Sequence, residues 1–193
     1  MAVLADIENV LFDLDGTLVD SRETIATSIL HALHRMNVDA AGGPRVETLI
    51  GMPLYDIFVG RFGMEEVNAL RAIDYYRVHY DDLNQAGTRV YERVNQDLAC
   101  LKAEGYRLYI ATVKPTRIAQ KVLSDMELLP YFDGVAGASM GPERRDKSSI
   151  IAHALTKFGL VPSRSMMVGD RDQDVEGARA NGLRSVGVTY GFG

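Results

Sequence analysis

Five short apolar runs, each ending in polar residues, alternate with longer stretches in which apolar residues recur every three or four positions, and this rhythm limits the possible folds more than any other feature. The runs are VLFDLD (10–15), RLYIAT (107–112), GVAGAS (134–139), SMMVGD (165–170) and RSVGVT (184–189). Their length and near-continuous apolar character fit strands buried on both faces of a parallel sheet. The intervening KSSIIAHALTKF carries Ile150, Ile151, Ala154, Leu155 and Phe158 as one helical stripe, and RVNQDLACLKAEG reads as a helix stopped by Gly105. Pro115 suits the first turn of a further helix. The expected fold class is therefore α/β, a parallel sheet flanked by helices.

Between residues 19 and 87 the rhythm breaks. Roughly 70 residues pass with helical patterns at 21–36, 46–50, 54–62 and 65–80 and no convincing strand, far more than a βα loop needs. Gly42, Gly43 and Pro44 interrupt the first two patterns. An inserted helical subdomain is expected, with Tyr75, Tyr76 and Tyr80 packing it; an aromatic there could also stack on a nucleobase. The expected organisation is an α/β core at 1–18 and 86–193 and a helical insertion at 19–85, hinged at 19–21 and 85–88.

Composition excludes several classes. With 47% hydrophobic and 24% charged residues, the chain of 193 residues reads as globular, large enough for one core plus a small insertion. A formal charge of −5 gives no basis for binding a nucleic-acid polymer. No apolar run is long enough to span a bilayer, and the N-terminal stretch lacks a basic region ahead of an apolar one. A cytoplasmic protein is expected, as monomer or homodimer. The single cysteine, Cys100, lies in a helical run and is expected to be a buried, inert thiol.

Reactive side chains sit at the ends of the strand-like runs, where open α/β sheets bind ligands. Asp13 and Asp15 stand two apart, which in extended backbone points them the same way, and Gly16 then permits a tight turn. Like charges held so close call for a cation or a shared proton. Thr112 precedes Val113, Lys114 and Pro115 at a helix start, where main-chain N–H groups can hold an anion. Lys147 opens another helix, Asp170 ends the fourth run and Asp174 follows. Carboxylates facing a lysine, a hydroxyl and free amides suit Mg²⁺ and a phosphate group, because hard oxygen ligands suit that ion.

These motifs, DLDGT at 13–17, Thr112, Lys147 and GDRDQD at 169–174, resemble in order those of haloacid dehalogenase (HAD)-superfamily phosphohydrolases, and the insertion resembles the helical cap of the phosphoglycolate phosphatase-like branch. The flanking KPTRIAQKVL, YFDGVAGAS, DKSSIIAHAL and GARANGLRSVGVTYGFG look closer still to a bacterial subgroup described as 5′-nucleotidases or phosphoglycolate phosphatases. The resemblance implies a Rossmann-like core and Mg²⁺-dependent hydrolysis of a small phosphorylated metabolite. It implies Asp13 as nucleophile forming an aspartyl-phosphate, and Asp15 as acid and then base. Asp13, the Asp15 carbonyl and Asp170 would hold Mg²⁺, with Asp174 supporting or ligating. Gly16, Thr112, Val113 and Lys147 would bind the phosphoryl group, Thr112 and Lys147 also stabilising its charge. Asp15 favours phosphorus chemistry over dehalogenation, which needs only the first aspartate. A nucleoside monophosphate is modestly favoured as substrate over phosphoglycolate; phosphomutase chemistry and a noncatalytic phosphate-ligand-binding role are the further alternatives.

Each residue also has an ordinary reading. An aspartate pair after a strand often makes a turn, Thr112 alone reads as a helix cap, Lys147 as a solvated helix start, Lys114 as a surface lysine and Asp172 as a first-turn charge. Met166 and Met167 read as core. His31 and His34 share a helix face but lack a third ligand for zinc. The series Asp170, Asp172, Asp174 is not a calcium loop: counted from Asp170, positions six and twelve are Val175 and Asn181 instead of Gly and Glu. In two respects the chain departs from its relatives. Val113 stands where they frequently carry Asn or Ser, so any phosphate contact there falls to the main-chain N–H; and they usually continue past the position of Gly193 with another strand and helix, so an open sheet edge is expected at 184–189.

Overall fold

The computed structural model describes residues 6–83, 86–139, 144 and 146–193. It divides into two compact units, Met1–Asp20 with Arg89–Gly193, and Ser21–Thr88.

The first unit is built on β1 (Asn9–Phe12), β4 (Arg107–Pro115), β5 (Gly134–Ala138), β6 (Ser165–Gly169) and β7 (Arg184–Gly187), a five-stranded sheet in the order β5-β4-β1-β6-β7. All four pairings are parallel. Helices α3 (Val94–Ala103), α4 (Thr116–Asp125), α5 (Lys147–Phe158) and α6 (Asp172–Ala180) connect them. The sheet is held from one side by α5, whose Ile150, Ile151 and Ala154 pack with Leu11, Ala111, Ala136 and Met167 in one buried cluster. Small alanines at the centre of β4 and β5 let the helix approach closely, and Phe158 stacks on Tyr109 at 5.0 Å. Asp146 caps α5 by accepting the Ser149 N–H at 2.9 Å, and Gly159 ends it in the left-handed region.

Several boundaries differ from the sequence expectation for physical reasons. β1 ends at Phe12, not at 15, because the chain folds straight into a turn in which Gly16, at φ 88°, donates to the Val19 carbonyl. β4 instead runs on to Pro115, with its register to β5 shifting between Thr112 and Pro115. Pro115 is therefore not in the first turn of α4; it is extended at ψ 138° and the helix begins at Thr116. Cys100 is exposed, not buried: α3 buries Val94 and Leu98, and two residues past Leu98 the helix has turned toward solvent, where the thiol meets Glu104. β7 is exposed along its length at the sheet edge.

A two-residue ribbon, β2 (Val19–Asp20) against β3 (Arg89–Val90), carries the chain out of this unit and back. Residues 19 and 20 of the expected hinge thus lie in paired strands, while Gln85 of the second hinge segment falls outside the described residues.

The second unit pairs α1 (Arg22–Arg35) with α2 (Glu66–Asp82). Both helices turn an apolar stripe inward: Ile25, Ile29, Ala32 and Leu33 from α1; Ala69, Ala72, Ile73, Tyr76 and Tyr80 from α2. Their shared face also carries Ser28 Oγ 3.1 Å from His79 Nδ1 and His31 stacked on His79 at 4.2 Å. The patterns at 46–50 and 54–62 are a single 3₁₀ turn, Val46–Leu49, and a π-helical stretch, Asp56–Arg61. Among the described residues no helix is long and apolar enough to cross a membrane.

Candidate active site

The strand order itself selects the site. From β1 the chain proceeds through β4 and β5 on one side, then crosses to β6 and β7 on the other, so the C-terminal ends of β1 and β6 flank a switch point where such sheets open a crevice. Phe12 is paired with Val168, and the Asp13 N–H donates to the Val168 carbonyl at 2.9 Å. Asp13 and Asp170 are thereby fixed at the same rim.

Asp13, Asp170 and Asp174 are all buried, and each offers a carboxylate oxygen within 4.8 Å of the others. Lys147, the first residue of α5, reaches into this cluster. Its Nζ donates to the Ala111 carbonyl at 3.0 Å and pairs with Asp13 Oδ1 at 2.9 Å and Asp174 Oδ1 at 2.7 Å. Burial pulls the ammonium toward neutrality, but the two carboxylates outweigh it and hold the lysine above its ordinary range, hence charged. Asp174 feels the opposite balance: burial first, then the charge of Asp13, push its carboxyl up to about 6 against the pull of Lys147. Its position in the first turn of α6 also lets Oδ2 accept the Arg171 N–H at 3.1 Å. Gly169 makes room for it, since a side chain there would fall on the Asp174 carboxylate.

Asp170 is gripped from two directions. The Thr17 hydroxyl donates to Oδ1 at 3.2 Å, and the N–H groups of Phe192 and Gly193 donate to Oδ2 at 2.7 and 3.2 Å. Asp13 Oδ1 accepts the Leu14 N–H at 2.8 Å. Thr112 is buried, and its Oγ1 accepts the Lys114 N–H at 3.2 Å, which leaves its own O–H to donate. Val113 beside it is half-buried. Asp172, by contrast, is exposed and accepts the Gln173 N–H at 2.8 Å within its own turn.

Asp13 and Asp15 do not project from one extended strand as the spacing implied. The strand ends before both, and each has its own lysine: Asp13 pairs with Lys147, and Asp15 Oδ2 pairs with Lys114 Nζ at 2.9 Å. The Asp15 carboxylate is outside the three-carboxylate cluster. Lys114 is correspondingly buried, not a surface lysine. Neither this pair nor the main-chain grip on Asp170 is signalled by spacing; both depend on contacts between residues far apart in sequence.

Three buried carboxylates, Asp13, Asp170 and Asp174, thus gather around the Lys147 ammonium, leaving two surplus negative charges in a buried cluster. A divalent cation would cancel that surplus, and an all-oxygen donor set of carboxylates suits Mg²⁺. The residues fit the ion.

Fold and site define a phosphoric monoester hydrolase of the haloacid dehalogenase-like class: residues 10–188 match the family described as haloacid dehalogenase-like hydrolase, and the chain belongs to it. More particularly, it is 36% identical to a 5′-nucleotidase of Pseudomonas aeruginosa over 96% of this chain and 84% of that one. It is also 36% identical to the tyrosine-protein kinase PtkA of Mycobacterium tuberculosis, over 95% of this chain but 62% of the kinase. Identity is 30% to a phosphoglycolate phosphatase of Salmonella choleraesuis, over 100% of this chain and 85% of that one. Among solved structures, a predicted phosphatase from Clostridium acetobutylicum superposes with a TM-score of 0.88 at 36% identity, over 97% of this chain and 87% of that one.

Proposed function

We propose that the protein is a Mg²⁺-dependent phosphatase that hydrolyses a small phosphomonoester through an aspartyl-phosphate on Asp13, with a nucleoside monophosphate favoured over phosphoglycolate. The observation that carries this reading is the convergence of buried Asp13, Asp170 and Asp174 around Lys147 with two negative charges in excess. Substrate preference is supported by the nucleotidase relative, at 36% identity against 30% for the phosphoglycolate phosphatase.

In this reading an Asp13 carboxylate oxygen attacks phosphorus, forming the Asp13 O–P bond as the ester P–O bond breaks. The leaving alkoxide takes a proton from Asp15. Asp15, then ionised, takes a proton from a water that attacks phosphorus, breaking the Asp13 O–P bond and releasing inorganic phosphate. The Thr112 hydroxyl, the Val113 N–H, the chain at Gly16 and the Lys147 ammonium hold the phosphoryl oxygens, a task that is chiefly electrostatic. Lys147 also orients Asp13 through their ion pair. Mg²⁺, held by the carboxylates of Asp13 and Asp170 and the Asp15 carbonyl with Asp174 in support, would add positive charge where the phosphoryl group sits. Burial excludes bulk water and strengthens each of these interactions.

The test is phosphate release from a panel of nucleoside monophosphates, phosphoglycolate and sugar phosphates, with Mg²⁺ and with EDTA. Release that needs Mg²⁺, is lost in Asp13→Asn and is fastest on a nucleotide is expected. No release from any ester, or full turnover by Asp13→Asn, overturns the reading. Relatives named as tyrosine kinases make one further outcome informative: phosphate passing to a protein tyrosine without free phosphate would replace hydrolysis by transfer.

A further inference from the structure

Beyond β7 the chain doubles back onto the metal-facing aspartate. Val188 N–H extends the ladder by donating to the Gly169 carbonyl at 2.9 Å, and Tyr190 then crosses to the turn after β1, its hydroxyl donating to the Thr17 carbonyl at 2.9 Å. The Tyr190 ring packs on Tyr91 at 4.7 Å, just past β3. This crossing delivers the next residues to Asp170, where the Phe192 and Gly193 N–H groups converge on Oδ2. The approach is so close that a side chain at Gly191 would fall on the Asp170 side chain and the Gly16 carbonyl, and one at Gly16 would fall on the Asp170 carboxylate. With Thr17 on Oδ1, the Asp170 carboxylate carries three donors from two separate segments, and hydrogen bonds to a charged acceptor are the strong ones.

We propose that residues 190–193 are a positioning element for the cation: the Phe192 and Gly193 main-chain N–H groups fix the Asp170 carboxylate in the orientation that meets Mg²⁺, so that the metal site is completed by main chain after the last strand. This rests on the Mg²⁺ reading above. The segment touches neither the reacting phosphorus nor Asp13 in this scheme; it acts through Asp170. The two main-chain donors occupy Oδ2 and stop the carboxylate rotating, while Oδ1, beside its bond from Thr17, keeps a lone pair for the ion; partners that orient a ligand in this way typically change metal affinity by about 10- to 100-fold when lost.

The experiment compares Mg²⁺ binding by isothermal titration to the EDTA-stripped full chain for wild type, Phe192→Pro, which lacks the N–H, and Phe192→Ala, which keeps it. Phe192→Pro is expected to bind Mg²⁺ about 10- to 100-fold more weakly, while Phe192→Ala binds like wild type. The Mg²⁺ concentration giving half-maximal turnover should rise by the same factor in the proline variant, and saturating Mg²⁺ should restore kcat. If circular dichroism shows that Phe192→Pro does not fold, Gly191→Ala, which displaces Asp170 by its added methyl group, replaces it with the same expected loss. Wild-type affinity in a folded proline or Gly191→Ala variant overturns the inference and leaves the cation site standing, as does equal weakening in Phe192→Ala. Absence of Mg²⁺ binding by wild type instead overturns the functional reading on which it rests.

Discussion

Replacing Lys147 by methionine keeps most of the buried volume and removes the one ammonium shared by Asp13 and Asp174. Lys147 is 5% exposed, and its two ion pairs are 2.9 and 2.7 Å long. Breaking a buried pair from one side costs about 3–5 kcal/mol, because the partner charge stays behind without compensation. Here two carboxylates stay behind, but one has a way out. The Asp174 carboxyl, already pushed up to about 6 by burial and Asp13, rises further once Lys147 is gone and takes up a proton. The loss in EDTA near neutral pH should therefore lie toward the lower end, about 3 kcal/mol, a large share of the roughly 5–15 kcal/mol that holds a typical domain together. The sign of the pH dependence follows. An acid whose folded value is raised binds its proton more tightly folded than unfolded; wild-type Asp174 takes up its proton through about 6 and the variant's does so at higher pH, so the deficit shrinks as pH falls toward about 6 and is level below it. Mg²⁺ should also recover part of the loss by supplying charge to the same carboxylates in the folded state alone. Urea unfolding followed by far-UV circular dichroism, in EDTA and in Mg²⁺, measures all three effects. Lys121→Met, which breaks the exposed pair with Asp125, is the control and should cost under about 1 kcal/mol. A Lys147→Met variant as stable as that control, or one whose deficit grows on acidification, would mean that Asp13 and Asp174 do not depend on the Lys147 charge in this way.

Other outcomes follow from the same geometry. Asp170→Asn should abolish Mg²⁺-dependent phosphate release while Asp172→Asn, altered only in its exposed turn, keeps most of it; equal losses would mean that the loop after β6 has been misassigned. Asp146→Ala should cost about 1 kcal/mol in urea unfolding through the lost cap of α5. The Ser149 N–H, with its hydroxyl, holds the Asp146 carboxyl below its ordinary value of 3.8, so the cap's contribution is fully present above that value and is lost as pH falls through the lower folded one. The gap between wild type and Asp146→Ala should close in acid, and a gap that widens there would exclude a charged cap. Leu11→Ala, fully buried in the central strand, should cost about 2–5 kcal/mol in the same assay.

Much of the α/β architecture was legible because buried parallel strands and amphipathic helices leave different periods in sequence, and because Asp13, Lys147 and Asp170 sit where those periods change. What was not legible depends on contacts across the fold. β2 and β3 are two residues each, too short to leave any period, and exist only because they pair. Cys100 lies in a helix whose buried face is set by Val94 and Leu98, and a lone thiol gives no hint of which side it takes. Lys114 looks like any exposed lysine until the turn after β1 brings Asp15 to it. The hold of Phe192 and Gly193 on Asp170 is made by main chain, which carries no side-chain signal at all. Asp174 was readable as a neighbour of Asp170, but not as the carboxylate that shares Lys147 with Asp13.

The claim that Asp13 carries the phosphoryl group is tested most directly by trapping it. The enzyme is mixed with Mg²⁺ and a ³²P-labelled phosphomonoester that it hydrolyses, quenched in acid within a turnover, and either digested for mapping or reduced with borohydride, which converts a phosphorylated aspartate to homoserine. Label, and homoserine, are expected at Asp13 alone, and none in Asp13→Asn. Label on any other residue, or wild-type turnover that leaves the protein unlabelled at every quench time, would contradict it.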